Sequence, residues 1–212
     1  QRTWIVDPGD VSVLDPTLPK EMPQAGDTWT YVVRDMRYKP NDLSRKYVHT
    51  VRTSSKGSIV EVVTAKGAEV GEHSYSTAFS AVYRGGADLV EFAPFAAAFQ
   101  NLKPGDPIPS VRVLGQERHS AMVSGDLPYR LDGGRVMGTE QVTVAAGTFE
   151  AVRVDLNGRI SNAALGGSAI VRGYARFRHT VWYAPQVKRV VKSVATGPSF
   201  TTQYELESYS LR

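Results

Sequence analysis

A chain of 212 residues, 42% hydrophobic and 22% charged, is long enough to bury a full β core without metal or disulfide staples. It has no cysteine, which excludes disulfides, thiolate metal sites and a cysteine nucleophile. The net charge of +4 comes from Lys and Arg scattered among acids, unlike the concentrated basic face of a nucleic-acid binder, and no apolar run reaches the roughly 18 residues of a membrane-spanning helix.

Residues 1–25 hold Pro8, Pro16, Pro19 and Pro23 and read as an extended arm that Trp4, Ile5 and Val6 could anchor. The domain proper is expected over 26–212, opening at Gly26-Asp27. From there the dominant period is two. Thr28 to Tyr38 sets Trp29, Tyr31 and Val33 against Thr28, Thr30 and Arg34. Strands are predicted over Lys46 to Thr53 and, past a Lys56-Gly57 turn, over Ile59 to Ala65. Gly67 and Gly71 punctuate the next connection, His73 to Arg84 continues as one strand, and Gly85-Gly86 turns into Leu89 to Phe92.

One segment breaks the period. Phe95, Phe99 and Leu102 recur at helical spacing between Pro94 and Pro104-Gly105, which predicts a two-turn helix over 95–102 that covers a sheet edge or plugs a barrel end. Strands resume over Pro109 to Arg118 and Arg135 to Val144. Ala145-Ala146-Gly147 turns into Thr148 to Ile160, and Gly166-Gly167 leads into Ile170 to Tyr183. Val187 to Ala195 and Phe200 to Leu211 close the chain. The expectation is all-β: a single antiparallel meander barrel or strongly curled sheet of about ten to twelve strands.

The C-terminal third reads Gln141-Val-Thr-Val-Ala-Ala-Gly-Thr-Phe-Glu-Ala-Val-Arg-Val-Asp155, then Thr180-Val-Trp-Tyr-Ala-Pro185, Val190-Val-Lys192 and Tyr204-Glu-Leu-Glu-Ser-Tyr209. Together with the opening Gly26, Asp27, Trp29 and Tyr31, this text resembles exported β-barrel domains of unknown function from Gram-negative bacteria. Their hallmark is a V-x-V-x-A-G-x-F hairpin followed by W-Y-[AS]-P. Ala146 stands where many relatives have Pro, and the middle of the chain, about 40 to 130, carries no distinctive match. The resemblance implies a barrel and a cell-envelope setting; it implies no activity and transfers no catalytic residue. The same motifs have a physical use: Gly147 can take a positive φ in a tight hairpin with Phe149 packed beside it, and Pro185 ends ladder pairing.

Candidate chemistry is sparse. His49, His73, His119 and His179 lack metal-ligand spacing, no G-x-S-x-G elbow occurs, and the paired glycines read as turns rather than phosphate loops. Glu205 and Glu207 share a strand face where solvent exposure is the default. No cofactor, metal or catalytic residue is expected. The most informative stretch is Ile170 to Tyr183. Arg172, Tyr174, Arg176, Arg178, Thr180 and Trp182 share one face, and Val171, Ala175, Phe177, His179, Val181 and Tyr183 the other. The second face reads as core. The first sets three arginines beside two aromatics, a surface for a phosphate, carboxylate or sugar acid, unless those arginines pair with acids on adjacent strands. Trp29, Tyr31, Phe149, Phe177 and Tyr183 are the expected core or pocket wall.

The function expected is a non-enzymatic envelope protein whose barrel binds a lipid, glycan or protein partner. The alternative is a structural or assembly subunit docked through the N-terminal arm, and a third is a hydrolase with an unrecognised site. The chain starts at Gln1 rather than Met, which either a removed signal peptide or a trimmed sequence would explain; the resemblance implies the first, and with it the periplasm or the outer membrane as the expected address. Any lipid would sit on a cysteine upstream of Gln1. The partner expected is an anionic or amphipathic envelope ligand or a protein, not nucleic acid.

Overall fold

The structure, a computed structural model, describes residues 4–6, 23–55, 58–76, 81–84, 89–92, 103–108, 111–115, 129–161 and 173–212. Its strands are β1 (Trp4–Val6), β2 (Thr28–Asp35), β3 (Lys46–Ser55), β4 (Ser58–Ala65), β5 (Ala68–Ser76), β6 (Ala81–Arg84), β7 (Leu89–Phe92), β8 (Pro107–Ile108), β9 (Val111–Gly115), β10 (Tyr129–Val144), β11 (Gly147–Ser161), β12 (Tyr174–Ala184), β13 (Arg189–Thr196) and β14 (Thr201–Ser210). Twelve form one sheet in the order β1-β9-β10-β11-β12-β13-β14-β2-β3-β4-β5, with β8 also on β10, and β6 pairs with β7 in a separate hairpin. The architecture is all-β and antiparallel, as the period-two patterning predicts.

The order explains how a meander can curl without closing. The domain's first strand, β2, pairs with its last, β14, from Thr28↔Ser210 to Asp35↔Thr202. That is the seam that closes an up-and-down barrel. The sheet path opens elsewhere, between β5 at one end and β1, which pairs with β9, at the other. The predicted helix at 95–102 and most of the N-terminal arm lie outside the described residues; within the arm, β1 pairs with β9.

Several element limits differ from expectation for local reasons. β2 stops at Asp35 rather than Tyr38, because the Asp35 carboxylate accepts hydrogen bonds from the backbone N–H of Arg37 and Tyr38 and turns the chain. Gly71 does not sit in a connection but inside β5. The turn before it is Lys66-Gly67, both at positive φ (51° and 78°), the two-residue hairpin geometry that matches strand twist. The single strand expected over 73–84 is two strands, β5 and β6. β10 begins at Tyr129 rather than Arg135 and bends through irregularities at Gly133 and Gly138. β13 begins at Arg189 rather than Val187, since Pro185–Val187 form a 3-10 turn that ends on Lys188 in the left-handed region.

Curling brings distant strands into one core. In a flat sheet, β4 and β13 would be four strand spacings apart, about 19 Å. Instead Glu61 of β4 and Arg189 of β13 form a buried ion pair. Trp29, Tyr31, Val51 and Ile59 from one arm of the curl pack with Val142, Phe149, Ala151 and Val191 from the other. The hairpin tip between β10 and β11 also reaches across: Ala146 N–H donates to the Leu206 carbonyl of β14 at 3.2 Å, and the Phe149 ring meets Tyr209 edge-on.

Candidate functional site

The start of β2 and the C-terminal Arg212 meet beside the β12–β13 connection. The Trp29 indole N–H donates to the Val187 carbonyl at 2.9 Å, and the Tyr31 hydroxyl donates to the Val190 carbonyl. Asp27, fully buried, accepts the backbone N–H of Gln24 and of Arg212, each at 2.8 Å, and lies 3.8 Å from the Lys188 ammonium. Asp27 and Trp29 of the opening Gly-Asp-x-Trp-x-Tyr text therefore hold the turn that follows Trp-Tyr-Ala-Pro, and Tyr31 holds the start of β13 beyond it. These motifs fix the curl.

Beneath them lies a charged cluster with no side-chain exposure. The Arg189 guanidinium forks onto Glu61, contacts His49 Nδ1 at 3.0 Å, and sits 4.8 Å from the Trp29 ring centroid and 5.7 Å from that of Tyr31. His49 Nδ1 is also 3.2 Å from Glu61. A cation this deep needs both a forked carboxylate and aromatic faces to offset its lost hydration. The cluster clasps the two arms of the curl and has no open side for a substrate. Nearby in sequence, His179 is buried for another reason: Leu156 and Ala195, both buried, flank it across the ladder, and desolvation holds its pKa down at about 3.

The outward face of β10 to β13 is different. Two adjoining depressions open on it, of about 800 Å³ and about 480 Å³, each within the range of ligand sites. They share Asp132, Asn157 and Arg178; Arg135 and Arg153 line the larger, Arg176 and Thr196 the smaller. Gly134 lies in the floor of the larger depression, where a Cβ would run into the Asp155 carbonyl oxygen; only glycine lets the two backbones approach so closely.

Charge pairing on this face is uneven. Asp132 is taken by the Arg159 fork at 2.8 and 2.9 Å. Asp155 is taken by the Arg153 fork, 3.0 Å at each nitrogen, and by the Thr180 hydroxyl at 3.0 Å. Arg135, Arg176 and Arg178 are exposed and, among the described residues, the ion pairs formed do not include them. A ligand-sized polar surface is left with three cationic forks whose neighbouring acids are already engaged.

The sequence-expected face is thus divided. Arg176 and Arg178 point to solvent while Phe177, His179, Val181 and Tyr183 are buried. Arg172 and the Tyr174 side chain lie outside the described residues. Trp182 stands apart from both depressions: its indole N–H bonds Glu140, and Arg153 and Lys192 stack on its ring at 5.8 and 5.7 Å, so it is no open stacking platform. Trp29, Tyr31, Phe149, Phe177 and Tyr183 are all core. Glu205 and Glu207, expected in solvent, are only partly exposed and paired, the first with Arg34 and Lys192, the second with Lys46. Sequence reading missed Arg135, whose strand starts earlier than expected, and the Glu61–Arg189 pair. Glu61 was readable: it falls in phase with Ile59 and Val63 on the inner face of β4.

Two solved structures share this fold. One is a protein described as exported, with a YmcC-like fold, from Bacteroides fragilis; the other is described as a lipoprotein from Parabacteroides distasonis. Each is 14% identical, covers 89% of this chain and 97% of its own, and superposes with a TM-score of 0.53. No family model and no curated protein matches the chain, so the motif resemblance is joined by likeness of fold alone.

Proposed function

We propose that this protein is a non-enzymatic, exported component of the cell envelope that binds an anionic envelope ligand on the outward face of β10 to β13. The observation that carries the reading is Arg135, Arg176 and Arg178 around a ligand-sized depression whose acids are already engaged. Guanidinium forks match phosphate and carboxylate oxygens in pairs, and an arginine held by no acid gives up little on meeting a ligand. Export is supported by the description of both fold neighbours, one as exported and one as a lipoprotein, and by the motif resemblance. Among the described residues the inside of the curl is occupied by buried side chains and crossed by the Glu61–Arg189 clasp, which favours this outer face over the interior of a barrel as the place of binding.

Native mass spectrometry of the protein recovered from fractionated source cells tests the proposal. The expected result is recovery in the envelope fraction with an anionic molecule bound to wild type and lost from Arg176→Gln/Arg178→Gln. Recovery from the cytosol, or a retained molecule in the double variant, would contradict it.

A further inference from the structure

Resting on the anion-binding reading, the paired depressions say more about the ligand. Arg178 belongs to both, while Arg135 serves only the larger and Arg176 only the smaller. The ladder fixes their spacing. Arg135 is opposite Asp155, and Asp155 opposite Thr180, so Arg135 lies two strands across and two residues along from Arg178, about 12 Å between Cα atoms. Arg176 is two residues from Arg178 in the other direction, about 7 Å away. A single tetrahedral anion can be gripped by Arg178 with one neighbour, but not by both outer arginines together.

The lining also restricts what joins the charges. Asn157, Thr180 and Thr196 offer amide and hydroxyl groups, while the apolar members, Leu156 and Phe177, are buried at 1% and 3% exposure. The larger depression is lined mainly by polar surface and the smaller by polar and apolar surface alike, so a hydroxylated or ether-like spacer finds hydrogen-bond partners along both, whereas an acyl chain finds apolar surface only in part.

We propose that the two depressions form one bipartite site for a polar molecule carrying two phosphoryl groups, with Arg178 shared, Arg135 holding one phosphate and Arg176 the other. Binding is then bivalent: once one phosphate is seated, the second binds at the effective concentration its spacer sets.

Titration calorimetry with inorganic phosphate, methylenebisphosphonate, tri(ethylene glycol) bisphosphate and dodecyl phosphate separates the outcomes. The long bisphosphate is expected to bind at least about tenfold tighter than inorganic phosphate or the short bisphosphonate. Arg135→Gln and Arg176→Gln should each abolish that gain while changing inorganic phosphate affinity less than about twofold, and Arg178→Gln should weaken all the phosphate probes. All three side chains are exposed and outside the ion pairs of the face, so thermal midpoints should stay at the wild-type value. Phosphate binding with no gain from the long spacer would overturn the bipartite site and leave the anion-binding reading standing. No binding of any probe would overturn both. Dodecyl phosphate binding tighter than the long bisphosphate would identify a lipid headgroup as the source and overturn the polar spacer.

Discussion

At the scale of single residues, chemistry is set by which face of a strand a side chain takes. On β12 that alternation was legible: Phe177, His179, Val181 and Tyr183 face in, Arg176 and Arg178 face out. What one strand could not reveal was the partner of each charge, because pairing depends on residues many positions away. His179 shows the cost of facing in. Its pKa is held at about 3 by desolvation, whereas in the unfolded chain it lies near 6.5. The unfolded state therefore takes up a proton first as pH falls. The stability of the neutral, buried ring is present above pH ~6.5 and is lost progressively toward pH ~3, with a slope of about 1.4 kcal/mol per pH unit from this residue. His179→Leu removes that slope. Urea unfolding at pH 7.5 and pH 4.5 should show wild type losing clearly more stability between the two than the variant. Parallel losses would mean that His179 is not the group responsible.

Elements carry the curl. Strand positions followed from period-two patterning, and the turns whose chemistry is local, such as Lys66-Gly67 and the Pro185 3-10 turn, could be approached from composition. Element ends at Asp35 and Tyr129 were harder, since an Asx turn and a glycine-bearing irregularity compete with the same alternation. The contact of β4 with β13 was not legible at all, because it follows from curvature accumulated over four strand spacings. Its energetics are testable. Glu61→Gln leaves the Arg189 charge buried without its carboxylate, and should lower the unfolding free energy by about 3–5 kcal/mol. Glu61→Leu combined with Arg189→Met removes both charges and should recover most of that loss. A single variant within about 1 kcal/mol of wild type by urea denaturation would show that the clasp does not hold the arms together.

For the whole molecule, sequence patterning led to a curled antiparallel meander, and the seam between β2 and β14 gives that prediction its structural form. The motifs that open and close the domain are legible as fold determinants because they meet across the curl: Asp27, Trp29 and Tyr31 against Val187 to Val190, at the turn into β13. The candidate site was half legible. Arg176 and Arg178 stood out by composition, whereas Arg135 joins them only through the register of β10 on β11 and of β11 on β12. The proposed binding lies on the outer face, because the described inner side chains pack against one another. The most direct measurement is an NMR titration of the arginine Nε–H resonances with inorganic phosphate at low ionic strength, where exposed charges are least screened. The account predicts saturable shifts for Arg135, Arg176 and Arg178, with Arg189 unchanged and the Arg159 fork little affected. Equal, non-saturating shifts across all exposed arginines, or none, would contradict it.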